Sequence, residues 1–180
     1  MDNFIRLDYD FDIDKLLSEC YNVIDSVGLQ YNQIGLTHSK VIKYRKKVNV
    51  WFDAVGSKSP RDEKNYVVFN EKLKGSYLEK VYNDIQKYYT VGRVRIMCLS
   101  NKTCYSLHAD YEKRLHLPIQ TNEKCLLLVD NKALHLPADG NVYLVDTTKQ
   151  HTALNGNKGE FNRIHIIFNL IGDYDGPSKS

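Results

Sequence analysis

Two histidines and an aspartate in the second half of the chain have the residue types and order of a metal-binding set. His108 and Asp110 lie two residues apart, so on a strand they would face the same side, and His151 would come from a distant strand. Two imidazoles and one carboxylate can cover one face of an octahedral non-haem Fe(II) and leave three positions open for a cosubstrate and O₂. A His-x-Asp triplet alone also occurs by chance. The set predicts an oxygenase whose catalytic residues and metal ligands are His108, Asp110 and His151.

Three further polar residues could bind the cosubstrate. Arg163 lies inside the apolar run FNRIHIIFNL, and a buried arginine is costly unless an anion pairs with it. A dicarboxylate cosubstrate would supply that anion. Arg114 and His116 are also two residues apart in an apolar run, so they would point together toward a negatively charged guest. For this pair, the polar outer face of an ordinary strand is the alternative.

The first half of the chain carries the helical patterns. Residues 12–27 have apolar side chains at helical spacing, and Gly28 is a natural end. The apolar spacing of residues 70–90 predicts a second helix, although Gly75 weakens this prediction. Residues 41–52 alternate and predict a strand with one basic face, and residues 53–65 predict a loop.

The second half of the chain is rich in short strand patterns separated by turn residues. We therefore expect an α+β, mainly β fold: a double-stranded β-helix (a cupin-like jelly roll) with the N-terminal helices packed on one sheet. Residues 1–180 would form a single domain, with 1–91 as a helical and strand support region and 92–170 as the catalytic core. The predicted strands are 92–100, 103–109, 113–119, 124–129, 141–146, 150–154 and 161–170.

Composition excludes several classes of protein. The chain has 42% hydrophobic and 26% charged residues and a net charge of +3, which is ordinary for a soluble globular protein. No apolar run approaches the roughly 20 residues needed to cross a bilayer, so no membrane partner is expected. We interpret the basic run at residues 40–47 as a solvated strand face rather than a nucleic-acid stripe. The four scattered cysteines predict reduced thiols in a cytoplasmic protein, with a Cys98–Cys104 disulfide as the alternative.

A family resemblance covers about residues 92–170. The stretch "RLHLPIQTN…CLLLVDN…YLVDTTKQH…RIHIIF" resembles the aspartyl/asparaginyl β-hydroxylase family of Fe(II)- and 2-oxoglutarate-dependent oxygenases. The resemblance rests on an Arg-x-His pair, a histidine thirty-five residues later, an aspartate five residues before that histidine and an arginine soon after it. It implies a double-stranded β-helix, in agreement with the strand pattern.

The resemblance implies roles for individual residues. His108 and His151 match the two iron-binding histidines, and Arg163 matches the arginine that pairs with the distal carboxylate of 2-oxoglutarate. Arg114 and His116 match the pair near the iron-chelating end of the cosubstrate. Asp146 and Asn155 match positions flanking the distal histidine, where we expect supporting rather than catalytic residues.

Two positions depart from the founding member of that family. Asp110 stands where the founding enzyme has glycine, so this chain has a full metal triad, as in related amino-acid and prolyl hydroxylases. Met97 stands where the founding enzyme has a serine that holds 2-oxoglutarate. Asn169 replaces the second arginine of the oxygenases that repair nucleobases, which argues against that class.

The resulting prediction is a 2-oxoglutarate-dependent dioxygenase. With Fe(II), 2-oxoglutarate and O₂ it would hydroxylate a C–H bond of an amino-acid residue of aspartyl, asparaginyl or prolyl type and release succinate and CO₂. The partner would be that amino acid, free or in a peptide or protein. Two alternatives remain open: a metal-binding cupin of another class (an isomerase or a dioxygenase without 2-oxoglutarate) and a non-catalytic binding module.

Overall fold

Twelve strands and two α-helices form the part of the chain that the computed structural model describes, namely residues 2–40, 49–56, 63–172 and 174. The helices are α1 (Ile13–Val27) and α2 (Tyr77–Gln86), and a short 3₁₀ helix spans Glu71–Leu73. The strands are β1 (Phe4–Leu7), β2 (Gln33–Gly35), β3 (Thr37–His38), β4 (Val68–Phe69), β5 (Val91–Leu99), β6 (Thr103–Cys104), β7 (Arg114–Gln120), β8 (Cys125–Val129), β9 (Lys132–Leu134), β10 (Val142–Val145), β11 (His151–Asn155) and β12 (Arg163–Leu170).

Two antiparallel sheets build the jelly roll. The major sheet has six strands in the order β1-β10-β7-β12-β5-β2, and the minor sheet has four in the order β6-β11-β8-β9. Strands distant in sequence are neighbours in both sheets, which is the topology of a double-stranded β-helix. Strands β3 and β4 form a separate pair. The expected fold class is therefore confirmed.

The two faces of the major sheet differ sharply in character. Side chains alternate along a strand, so residues at even positions of β5 and β12 share one face and those at odd positions share the other. The even positions hold apolar residues such as Ile96, Ile166 and Phe168, which belong to the main hydrophobic core with the helices. The odd positions hold Arg93, Arg95, Arg163, His165 and Asn169, all buried. One face therefore stabilises the fold and the other presents polar groups to the space between the sheets.

Local sequence explains how the helices cover the apolar face. The side chain of Asp12 accepts a hydrogen bond from the Lys15 amide at 3.0 Å and caps α1, and Gly28 ends the helix with φ +76°. Ser76 caps α2, whose first two amides also donate to the Glu19 carboxylate of α1 at 2.9 Å each. The buried helix residues that pack on the sheet are Leu16, Cys20, Val23, Leu78, Val81, Tyr82 and Ile85.

The structure corrects some predicted elements. The predicted helix 70–90 is divided, because Gly75 has φ +78° and separates the 3₁₀ helix from α2. The predicted strand 103–109 extends only over Thr103–Cys104, with one isolated bridge at His108. Of the predicted strand 41–52, residues 41–48 lie outside the described residues, as does most of the basic run, and residues 50–52 form a turn. Residues 57–62 of the predicted loop also lie outside them.

Three further predictions concern the cysteines, membrane-spanning helices and the division of the chain. All four cysteines are free, so the Cys98–Cys104 disulfide is absent. No helix in the described ranges has the length and apolar character needed to cross a membrane. The division of the chain into 1–91 and 92–170 stays a prediction, although β1 and β2 of the first part join the major sheet.

Gly140 marks a close approach between the turn before β10 and the segment that leads into α1. Its φ is +82°, and a Cβ atom there would lie 2.7 Å from the carbonyl oxygen of Phe11. We expect Gly140→Ala to lower the free energy of unfolding by about 2 kcal/mol or more, through backbone strain and this overlap. Urea denaturation measures the change. Gly159→Ala is the matched control, because a Cβ there has no atom within 4 Å. Equal effects of the two substitutions would contradict the contact.

Candidate active site

The predicted metal ligands converge on one point between the two sheets. Nε2 of His151 lies 3.3 Å from Oδ2 of Asp110, and Nε2 of His108 lies 3.9 Å from Oδ1 of the same carboxylate. The ligand atoms of all three residues lie within 4.8 Å of one another. This is the separation that a single shared ion can bridge, so the structure brings the predicted triad together.

Backbone contacts orient both imidazoles. Nδ1 of His108 lies 2.7 Å from the carbonyl oxygen of Ser106, and Nδ1 of His151 lies 2.9 Å from that of Lys149. A carbonyl only accepts, so each Nδ1 carries the proton and donates it. A hydrogen bond from one ring nitrogen to a carbonyl is the usual second contact of a metal-binding histidine, and it leaves Nε2 as the nitrogen that can bind a metal.

A short antiparallel bridge sets the spacing of the two histidines. The His151 amide donates to the His108 carbonyl at 2.8 Å, and the His108 amide donates to the His151 carbonyl at 3.1 Å. The chain then leaves the ladder, and the Asp110 amide donates to the carbonyl of Thr147 at 2.8 Å. His108 and Asp110 therefore converge through a turn rather than along a continuous strand, which corrects the predicted local geometry.

Arg114 holds the carboxylate of Asp110, a predicted metal ligand. Its Nη2 lies 2.7 Å from Oδ1 of Asp110, and both side chains are largely buried. Burial acts to raise the pKa of Asp110, but the contact with His151 and the cation of Arg114 outweigh it and keep that pKa below its ordinary value. The carboxylate is thus ionised and available to a cation. Arg114 faces the cavity, as predicted.

Hydrogen bonds from Asn3, in the N-terminal segment, hold the turn that precedes His151. The carbonyl of Asn3 accepts from the Asp146 amide at 3.0 Å, and its side-chain oxygen accepts from Nζ of Lys149 at 2.7 Å. Nδ2 of Asn3 donates to the carbonyl of Val129 on β8 at 3.1 Å. Asn3 therefore connects β8 to the turn whose Lys149 carbonyl orients His151.

Asn155 connects the strand of His151 to the end of β5 and to the segment that precedes β12. Its Nδ2 donates to the carbonyls of Leu99 and Phe161 at 2.8 and 2.7 Å, and its Oδ1 accepts from Nδ2 of Asn157 at 2.7 Å. The side chain is almost completely buried, so these groups have no access to water. The expected supporting role of Asn155 thus has a physical basis in these contacts.

We expect Asn155→Ala to lower the free energy of unfolding by about 2–4 kcal/mol, because the buried carbonyl of Leu99 and the partly buried carbonyl of Phe161 lose their donor. Thermal and urea denaturation measure the loss. Asn131→Ala, at an exposed position, is the control and should change stability by less than about 0.5 kcal/mol. A neutral Asn155→Ala would mean that the two carbonyls find other donors.

Arg163 is buried at the far end of the same cavity. Only 3% of the residue is exposed, and its Nη2 contacts Nδ1 of His165 at 3.0 Å. Burial lowers the pKa of Arg163 to about 10, so the guanidinium is still charged at neutral pH. No carboxylate among the described residues pairs with it. An anionic guest is therefore the partner that its position favours.

Several buried polar atoms around Arg163 have no partner among the described residues. Both ring nitrogens of His116 and the hydroxyl of Tyr105 are buried without a hydrogen bond. Burial first, and then the nearby arginines, hold the pKa of His116 well below its ordinary value, so this ring is neutral. Buried polar groups are normally satisfied, and these face a cavity of about 800 Å³. Their donors and acceptors are available to a polar ligand.

Sequence reasoning missed three charged residues of this cavity. Arg93 and Arg95 on β5 line it together with Glu63, which forms an ion pair with Arg93. The signal was present in the strand VGRVRIMCL, where two arginines alternate with apolar residues in the way that identified Arg163. Glu63 carried no signal, because it is distant in sequence from the strand that it contacts.

The jelly roll and its triad define a class of protein, the iron- and 2-oxoglutarate-dependent oxygenases. The family model described as aspartyl/asparaginyl β-hydroxylase matches residues 64–172, more than half of the chain. The chain therefore belongs to the aspartyl/asparaginyl β-hydroxylase family. This membership confirms the resemblance and the expected kind of enzyme, a 2-oxoglutarate-dependent hydroxylase.

Solved structures share the fold at low sequence identity. A viral collagen prolyl hydroxylase from Paramecium bursaria Chlorella virus-1 is 11% identical with a TM-score of 0.55, over 96% of this chain and 91% of that one. HygX from Streptomyces hygroscopicus, solved with nickel and 2-oxoglutarate, is 7% identical with a TM-score of 0.56, over 98% and 83%. A prolyl hydroxylase from Trichoplax adhaerens, in complex with a hypoxia-inducible-factor peptide, is 12% identical with a TM-score of 0.50, over 94% and 83%.

Proposed function

We propose that His108, Asp110 and His151 hold Fe(II) in this hydroxylase and that Arg163 binds the distal carboxylate of 2-oxoglutarate. The observation that carries the assignment is the convergence of the three ligands, with each histidine Nδ1 fixed by a carbonyl and each Nε2 within 4 Å of the Asp110 carboxylate. Two imidazoles and one ionised carboxylate suit a divalent iron that must keep open positions.

The surrounding residues have separate tasks. When bound, iron and 2-oxoglutarate supply the oxidising power that turns a C–H bond into C–OH, with O₂ consumed and succinate and CO₂ released. Arg114 keeps Asp110 ionised and in place. Neutral His116 lies beside the same ligand space and offers a donor to the chelating end of the cosubstrate. Arg163 supplies the fixed cation at the other end.

The proposed substrate is an amino-acid residue of aspartyl, asparaginyl or prolyl type. Family membership supports the first two types. The peptide complex of the Trichoplax hydroxylase supports a peptide or protein substrate, and a free amino acid is the other form. The four free cysteines support a reducing compartment such as the cytoplasm.

An anaerobic titration tests this function. Adding 2-oxoglutarate to the Fe(II)-loaded protein should produce a visible charge-transfer band, because that band requires the keto acid to chelate the iron. Exposure to air should then yield succinate. If the protein binds the metal but shows no band, a cupin of another class is favoured. If the band forms but no candidate substrate leads to succinate, a non-catalytic binding module is favoured.

A further inference from the structure

Four arginines line the cavity, but their partners divide them into two groups. Arg93 pairs with Glu63, and Arg114 pairs with Asp110. Arg95 and Arg163 line the same cavity and have no carboxylate partner among the described residues. Each of the two ion pairs has no net charge. Arg95 and Arg163 are therefore the two cations of the cavity whose charge no described carboxylate balances.

Among the described residues, Arg95 is held only by neutral oxygens. Its Nη1 donates to Oε1 of Gln33 at 2.8 Å and its Nη2 donates to Oδ1 of Asn169 at 3.3 Å, while its Nε is buried without a partner. Only 3% of the residue is exposed. Removing a guanidinium from water is costly, and amide oxygens return only part of that cost. A residue in this state is typical of a binding site whose anion comes from a ligand.

Arg95 and Arg163 lie at different levels of the β5–β12 ladder. In the β5–β12 pairing Arg163 is opposite Leu99, whereas Arg95 is opposite Ile167. This offset of four residues corresponds to about 13 Å along the strands. The charges that act on Arg95 are those of Arg93, Arg114, Glu63 and Asp110. Asp110 is one of the predicted metal ligands, and Arg114 pairs with it. Arg95 therefore faces the region where chemistry would occur.

We propose that Arg95 binds a carboxylate of the primary substrate and is the residue that determines the enzyme's specificity for an acid. The inference rests on the proposed function, in which 2-oxoglutarate neutralises Arg163 and leaves Arg95 as the remaining cation. Gln33 and Asn169 orient the guanidinium, since each accepts from one of its terminal nitrogens. Asn169 also donates to Glu63 at 2.7 Å, which fixes its amide.

The chemistry of Arg95 narrows the range of possible substrates to those that carry a carboxylate. A buried guanidinium binds a carboxylate by charge-assisted hydrogen bonds and gains much less from a neutral carboxamide. The acid can come from the side chain of an aspartyl or glutamyl residue in a peptide, or from the α-carboxylate of a free amino acid. An asparaginyl or prolyl residue within a chain, with no acid beside it, would leave Arg95 without its partner.

Three small probes separate these sources. N-acetyl-L-aspartyl amide carries only a side-chain carboxylate, free L-asparagine carries only an α-carboxylate, and N-acetyl-L-asparaginyl amide carries neither. Calorimetry under anaerobic conditions, on protein loaded with Fe(II) and saturated with 2-oxoglutarate, gives the dissociation constant of each probe. We expect one of the two acids to bind about 100-fold more tightly than the neutral probe, and which acid does so identifies the source.

Variants assign that preference to Arg95. Arg95→Gln should remove the advantage of the acid, while Arg95→Lys should keep part of it because the cation is retained. Arg6→Gln, at an exposed arginine of the same sheet, should leave the preference intact. The charge-transfer band should appear at the same 2-oxoglutarate concentration in all four proteins. Circular dichroism checks that each variant is folded, and the Lys variant keeps the test valid if the Gln variant is not.

Specific results would overturn the inference. If neither acid binds the wild-type protein more tightly than the neutral probe, the cavity does not recognise a carboxylate. The same conclusion follows if none of the three probes binds. An Arg95→Gln protein that needs far more 2-oxoglutarate for the band would assign Arg95 to the cosubstrate instead. If the band never forms in the wild-type protein, the proposed function fails, whereas a normal band without acid preference contradicts only the role of Arg95.

Discussion

His151→Ala should abolish turnover and weaken metal binding by at least about 100-fold. Nε2 of His151 is one of three converging ligand atoms, and the remaining pair cannot hold a divalent ion against water with comparable affinity. Even residues that only support a metal ligand commonly cost 10–100-fold when removed, so the loss of a ligand itself should cost more. Calorimetric titration with Fe(II) under anaerobic conditions measures the affinity, and succinate formation measures turnover.

His38→Ala is the matched control for this loss. His38 lies on β3 and is not among the residues that line the cavity, and its Nδ1 contacts the neighbouring carbonyl of Ser39 at 3.0 Å. Its replacement should leave metal affinity and turnover unchanged. A His151→Ala protein that keeps the wild-type affinity would place the metal elsewhere and remove the basis of the proposed site.

Arg163→Gln should raise the 2-oxoglutarate concentration needed for the charge-transfer band by about 100-fold or more. The substitution leaves a buried ligand carboxylate without its cation, and breaking a buried ion pair from one side commonly costs about 3–5 kcal/mol. Metal binding should be unaffected, because Arg163 contacts none of the three ligands. Titration of the Fe(II) protein with 2-oxoglutarate gives the comparison directly.

Arg163→Lys tests the geometry at this position. A lysine keeps the charge but loses the planar pair of donors, so it should recover only part of the affinity. If Arg163→Gln binds 2-oxoglutarate as the wild-type protein does, the distal carboxylate has another partner. Arg95 would then be the first candidate, since it is the other arginine of the cavity that has no carboxylate partner among the described residues.

Local patterns predicted much of this architecture because they depend on neighbouring residues. The helix predicted at 12–27 is α1 (Ile13–Val27), and the predicted strand 161–170 contains β12 (Arg163–Leu170). The isolated arginine in an apolar strand was sufficient to place Arg163 inside the fold. The same reasoning applied to VGRVRIMCL would have placed Arg93 and Arg95 on the inner face.

Long-range pairing could not be inferred in the same way. Strand β1 lies beside β10, and Glu63 meets Arg93, but neither contact leaves a trace in the residues nearby. The turn that brings Asp110 to His151 depends on a hydrogen bond to Thr147, a residue thirty-seven positions later. Such contacts are selected by the folded arrangement as a whole, and spacing rules for strands predicted a straight path through His108 and Asp110.

The contacts of Asn3 bear on how this protein can be handled in the laboratory. Because its backbone and side chain connect β8 to the turn before His151, an affinity tag or a deletion at the N-terminal segment acts on a support of the metal site. Loss of β1 would also leave β10 as an unprotected edge that can pair with another molecule. A purification tag is therefore better placed after residue 174, where it is far in sequence from these contacts.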